Sequence, residues 1–199
     1  MSIPTPFNPL GTLGAVTVLD SCGIAHNALI KTGINGQVRN MRLVLHVGGL
    51  PLDGTITAGE YVQVFGSEGE CRRYVRFSWT NETYVFTSSK TDWNHSIWAP
   101  LKRDMQFDVT YGTTNVTAVI NGQSFSAPIK DFTEPMGEVK MFWYSSLSIP
   151  VVFRFYRARI YLNDQLSADI VPARQGEKII LWDKVRRMRL EPAKSPLLP

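Results

Sequence analysis

The chain has little of what catalysis usually draws on. Its 199 residues include two cysteines, Cys22 and Cys71, and three histidines, His26, His46 and His95. No Gly-x-Ser-x-Gly turn presents a nucleophile. Cys71 lies beside Arg72 and Arg73, neighbours that lower a thiol pKa, but no histidine is close to it in sequence. No apolar run approaches the length that spans a bilayer, so no membrane partner is expected. The first residues, Met1-Ser2-Ile3-Pro4-Thr5-Pro6, show neither the basic nor the apolar stretch of a secretory signal. The expectation is a chain made in a cytosol with reduced, buried thiols. The acceptor-like triplets Asn81-Glu82-Thr83, Asn94-His95-Ser96 and Asn115-Val116-Thr117 are then chance matches. No segment carries a helical apolar stripe. The net charge is +4, and dispersed charge of that size gives no phosphate-tracking stripe, so nucleic acid is not expected as a partner.

What is present is short strands. Ala15 to Leu19 and Ala28 to Ile34 read as the first two. In 41–47, Met41, Leu43, Leu45 and Val47 alternate with Arg42, Val44 and His46. Tyr61 to Phe65, Arg73 to Trp79, Tyr84 to Thr87 and Gln106 to Tyr111 follow. Val116 to Ile120, Asn121-Gly122 and Gln123 to Ala127 form the clearest hairpin, because Asn-Gly supplies the two positive φ angles of a type I′ turn. Glu138 to Tyr144 and Val151 to Leu162 come next. Then Ile170-Val171 is stopped by Pro172, and a last short strand holds Leu181-Trp182-Asp183. Such spacing, with turn residues between, reads as an all-β sandwich or barrel.

The order Phe153 to Asp164, then Ile170-Val171-Pro172-Ala173-Arg174, then Leu181-Trp182-Asp183 resembles the closing segment of the laminin-G-like, concanavalin A-type jelly-roll domains of tailed-bacteriophage virion proteins. Thr32-Gly33-Ile34 and the Asn121-Gly122 turn are similar to that family's early strand and hairpin. The resemblance spans roughly 15–185. It departs at Lys184 to Pro192, where the family usually has a Gly-rich segment ending in an aromatic hairpin. It implies a two-sheet antiparallel sandwich, a concanavalin A-like jelly roll, with extended N- and C-terminal arms. The expected layout is an N-terminal arm over 1–14, the sandwich over 15–185 and a basic, Pro-containing C-terminal extension over 186–199. The function implied is a non-enzymatic virion structural protein, a capsid decoration or fibre-type subunit made in the host cytoplasm. It would contact other capsid or tail proteins, in multiple copies per particle. The alternative is a lectin-like module that binds a host-surface glycan.

Several residue groups bear on these readings. Pro4, Pro6, Pro9, Gly11 and Gly14 keep 1–14 out of helix and interior strand. This leaves either a loose terminus or an attachment arm with Ile3, Phe7 and Leu10 as apolar pegs. Laminarinase-type relatives carry acids as Glu-x-Asp-x-x-Glu on one strand, since glycoside hydrolysis needs a carboxylate pair. Here Glu68 and Glu70 alternate, but Gly66, Ser67 and Gly69 around them read as a loop, so no enzyme is expected. Asp92 with Asn94, and Asn163 with Asp164, are too few oxygens for a calcium cage. They read as turn formers, and no metal or cofactor is expected. Trp93, Asn94, His95 and Trp98 lie in a loop-like stretch that is either a lid on the core or a glycan platform; Trp143 to Ser146 is a second such stretch. Finally Arg157, Arg159, Arg186, Arg187 and Arg189 stand in a basic last quarter. They read as a solvated face with packed stems or as an electropositive face against an acidic partner subunit or an anionic glycan. Arg157 and Arg159 are expected to share a strand face with Phe153 and Phe155.

Overall fold

The computed structural model describes residues 15–36, 40–50, 52, 60–69, 71–78, 82–89, 93–129, 136–147, 150–194 and 197–199. The expected attachment pegs Ile3, Phe7 and Leu10 lie outside them. The described chain is all-β. In order it forms β1 (Val16–Val18), β2 (Cys22–Ala25), β3 (Ile30–Asn35), β4 (Met41–Gly48), β5 (Tyr61–Gly69), β6 (Cys71–Ser78), β7 (Glu82–Ser89) and β8 (Trp93–Pro100). Then come β9 (Met105–Tyr111), β10 (Asn115–Ile120), β11 (Gln123–Pro128), β12 (Met136–Ser145), β13 (Val152–Leu162), β14 (Gln165–Gln175), β15 (Lys178–Asp183) and β16 (Met188–Leu190).

These strands build a two-sheet antiparallel sandwich, a jelly roll. One sheet has ten strands, along β11-β10-β9-β4-β13-β14-β15-β16, with β2 added to β13 and β1 to β14. The other has six, in the order β3-β12-β5-β6-β7-β8. Period-2 alternation explains which side of each strand is buried. Met41, Leu43, Leu45 and Val47 of β4 are all buried, as are Met105, Phe107, Val109 and Tyr111 of β9. The Asn-Gly hairpin forms as its sequence predicts, with φ of 48° at Asn121 and 81° at Gly122.

Aromatic rings lock the layers together. Phe77 of the six-stranded sheet packs on Phe107 and Phe153 of the other, with centroids 5.8 and 6.2 Å apart. Phe142 of β12 stacks on Phe153 at 5.7 Å and meets Phe155 edge-on at 6.5 Å. Tyr111 crosses the same space, and its hydroxyl donates to the Tyr74 carbonyl at 2.9 Å.

Four expectations change on contact with the structure. Pro172 does not stop its strand: β14 runs on to Gln175. Its flank switches partners there, from β13, paired as far as Ala158↔Ile170, to β1, whose Val18 pairs with Ala173. Proline's missing N–H therefore falls at the junction, while its carbonyl accepts from Leu19 N at 2.9 Å. The stretch 93–98 is not a loop but part of edge strand β8. A register shift between Val85 and Phe86 interrupts its alternation and hid it. The stretch from Gly66 to Gly69 belongs to β5. The side chains of Glu68 and Glu70 lie outside the described residues. Finally, the C-terminal segment is extended but docks on its own domain. β16 joins the larger sheet, Ile30 bridges Pro192, and Leu198 exchanges two backbone hydrogen bonds with Gly23 at 2.8 and 3.0 Å.

Phe153→Ala removes the ring that Phe77 and Phe142 share. Urea unfolding is expected to show a loss of about 3–5 kcal/mol; a loss under about 1 kcal/mol would mean the inter-sheet cluster is not the main tie.

Candidate functional site

Strand register places the two Trp-containing stretches of the sequence on one sheet. Cross-strand partners lie side by side on the same face. One row runs Trp98, Tyr84, Arg76, Gln63, Tyr144 across β8, β7, β6, β5 and β12. The next runs His95, Phe86, Tyr74, Gly66, Lys140, Lys31 and reaches β3. Their strand neighbours Val62, Phe65, Val75, Phe77, Val85 and Ile97 belong to the core. The rows therefore occupy the outer face of the six-stranded sheet. The side chains of Tyr84, Phe86, Trp93, Asn94, His95 and Tyr144 lie outside the described residues.

The described side chains on this face are aromatic and cationic. Trp98 is 50% exposed. Arg76 lies over the Tyr61 ring, 4.2 Å from its centroid. Trp143 is half-buried, packs on Tyr74 at 5.8 Å and has Lys140 Nζ 5.7 Å from its centroid. Tyr74 is fully buried and apart from the main core cluster. Such contacts are each worth about 0.5–1 kcal/mol when exposed. Trp98 and Trp143 stand four strand spacings apart, on the order of 19 Å at ~4.8 Å each.

Two backbone devices create the face. The register of β12 shifts between Met141 and Tyr144, where Phe142 adopts a φ of 49°. A non-glycine residue in that region costs about 1–3 kcal/mol. Here the bulge sends Phe142 into the core and leaves Trp143 on the outside. Beside it, a Cβ on Gly66 would come within 2.5 Å of Tyr74 Cδ1 and of the Arg73 carbonyl. Glycine alone lets the Tyr74 ring lie there. Sequence reasoning missed Tyr74 and Arg76 as site residues, although their alternation with Val75 and Phe77 was visible.

Most of the expected basic cluster pairs with acids of its own domain. A register shift between Phe155 and Arg157 reverses the parity of β13. Phe153, Phe155, Ala158 and Ile160 are buried, and Arg157 and Arg159 point the other way, not along the phenylalanine face. Arg157 donates to both oxygens of Asp169, at 2.7 and 2.6 Å, and Arg159 lies 3.7 Å from the same carboxylate. Arg186 donates to buried Asp183 at 2.5 Å, and Arg189 pairs with Glu191. Arg187 is exposed in the β15–β16 turn. Pairing within the domain weakens the field an acidic partner would meet. Asp183, of the Leu-Trp-Asp motif, also accepts from the amides of Asp169, Val185 and Arg186, so it closes a turn.

Other candidates resolve similarly. Asn163 and Asp164 both have positive φ, 50° and 62°, and form the two-residue β13–β14 turn. Cys22 is a free thiol whose pKa burial pushes up to about 12, which suppresses nucleophilicity. Cys71's side chain and residue Asp92 lie outside the described residues. His46 stacks on Tyr156 at 4.1 Å, and burial holds its pKa below the ordinary value despite Asp104. Among the described residues no group of three or more His, Cys, Asp or Glu could hold a metal. A cleft of about 630 Å³ lies away from the aromatic face, between the β14–β15 turn and the C-terminal segment.

No family model matches the chain, and no curated protein matches it. Among solved structures it is similar to a Bacillus licheniformis β-glucanase, at 10% identity over 65% of this chain and 68% of that one, with a TM-score of 0.47. It is also similar to Xenopus laevis galectin-Ib, at 13% identity over 65% and 98% with a TM-score of 0.40. For Caenorhabditis elegans galectin LEC-6 the values are 7%, 77%, 99% and 0.39. No residue role is carried over from them.

Asp169 carries a pH prediction. Burial pushes its pKa up, but the hydrogen bonds and charge of Arg157, with Arg159 and Lys184, outweigh this and hold it below the ordinary 3.8. A depressed carboxyl pKa stabilises the fold above the unfolded value and loses that contribution as pH falls through the folded one. The stability gap between the native chain and Asp169→Asn should be full at pH 6 and shrink steadily below about pH 4. A gap independent of pH would show that the carboxylate charge contributes nothing.

Proposed function

We propose that this chain is a non-enzymatic glycan-binding module that uses the outer face of its six-stranded sheet. One observation carries the reading: strand register unites two Trp-bearing stretches far apart in sequence, with Arg76 between them and Lys140 beside Trp143. Sugar rings offer apolar C–H faces to flat aromatic side chains and hydroxyls to flanking polar groups. An exposed tryptophan on a strand fits that chemistry better than it fits a core lid. The span between Trp98 and Trp143 suits an oligosaccharide lying along the sheet rather than a compact ligand in a pocket.

The virion setting implied by the closing-strand resemblance is part of this proposal. The module would face a host-surface glycan from a bacteriophage particle, held to other virion proteins through 1–14. Polysaccharide turnover is not expected, given the lack of an alternating acid motif.

Binding to an array of bacterial capsular, cell-wall and animal glycans tests the proposal. At least one class should bind. Trp98→Ala should weaken it about tenfold while leaving stability within about 0.5 kcal/mol. An intact, folded chain that binds nothing on the array would sink the reading. Separately, deletion through Gly14 should leave the sandwich folded and abolish incorporation into assembled particles; unchanged incorporation would reject the attachment role.

A further inference from the structure

Residues 1–14 carry no charged side chain. Their prolines, Pro4, Pro6 and Pro9, favour a left-handed extended helix of three residues per turn. At that period Met1, Pro4, Phe7, Leu10 and Leu13 fall on one edge, and Ser2, Thr5, Asn8, Gly11 and Gly14 on another. An uncharged segment with one apolar edge gains by laying that edge in an apolar groove.

Such a groove adjoins the start of β1. Val16 pairs with Gln175 at the end of β14. The two strands are antiparallel, so the chain enters β1 from the end where β14 turns at Gly176. That turn is one wall of the cleft of about 630 Å³, a volume in the ~300–1,000 Å³ range of ligand pockets. The cleft floor is apolar: Ile180, Leu190 and Leu197 are buried and Ile179 is half-buried. Charge is confined to its rim, where Arg174 and Lys178 are exposed and Arg189 pairs with Glu191. β15, which carries Ile179, stands two strand spacings from β1, on the order of 10 Å. Four residues of extended helix, at ~3.1 Å each, cover that distance.

We propose that this cleft is the seat of residues 1–14 of the same chain, with Phe7 and Leu10 against its floor. The tether makes docking intramolecular, with an effective concentration in the millimolar range, which favours a chain's own segment over that of a second copy. Attachment to other proteins through 1–14 then requires the segment to leave its seat, so the cleft and the partner compete for one set of apolar side chains. The inference is independent of the glycan reading, because the cleft is built on the larger sheet and the aromatic face on the smaller one.

Nuclear magnetic resonance on the full chain tests it. A nitroxide is attached at Lys178→Cys on the rim, in a chain that also carries Cys71→Ser; Cys22 is buried and does not compete for the label. The amide signals of Phe7 and Leu10 should fall at least fivefold and return when the nitroxide is reduced. Adding Phe7→Ser and Leu10→Ser should restore most of their intensity while the signals of the sandwich stay in place. A mixture of isotope-labelled chain without nitroxide and unlabelled chain with it should show both signals at full strength. Three results overturn the proposal: signals unaffected by the nitroxide, equal losses in the double-serine chain, or losses in the mixture, which would seat the segment on a second copy.

Discussion

The stacking of Phe142 on Phe153 ties the six-stranded sheet to the larger one where β12 bulges. Core burial of that ring favours a backbone turn that phenylalanine would otherwise avoid, since a large side chain leaving water gains about 1.5–3 kcal/mol. The turn decides where the next residue goes. Because Phe142 faces in, Trp143 faces out, beside Tyr74 and Lys140. Core and candidate site are thus two sides of one bulge. A substitution that relaxed Phe142 into ordinary strand geometry would reorder the outer face without touching it.

Several arginines of the larger sheet are paired within the domain. Arg157 and Arg159 share Asp169, Arg186 holds Asp183, and Arg42 donates to both oxygens of Asp108 at 2.7 and 2.6 Å. The Asp169 and Asp108 pairs knit the ten-stranded sheet across strands, and the Arg186 pair closes a turn.

The sandwich could be read from sequence because its long strands alternate cleanly. β4, β9 and the Asn121-Gly122 hairpin carry their own instructions in neighbouring residues. Bulges defeat such reading. At Tyr156 and Phe142 one extra residue flips the pattern, so the faces of Arg157, Arg159 and Trp143 could not be taken from parity alone. The β8 strand hid behind its register shift, and Trp98 looked like a loop residue. Above all, the site is a product of lateral pairing. Nothing local in 93–98 says that it shares a row with Arg76 and Gln63, because register is set by contacts between distant strands.

The docking of Leu198 on Gly23 has a consequence for how the chain is made. β2 is four residues long, flanked by β13 on one side and Leu198 on the other. Both neighbours emerge from the ribosome long after it. Until they do, an early segment waits with its hydrogen-bonding groups open to water or to other chains. Closing so long a loop is entropically slow to begin. Assembly of this corner therefore waits until residue 198 has been made, and the interval before it is when the early segment is most exposed to mispairing.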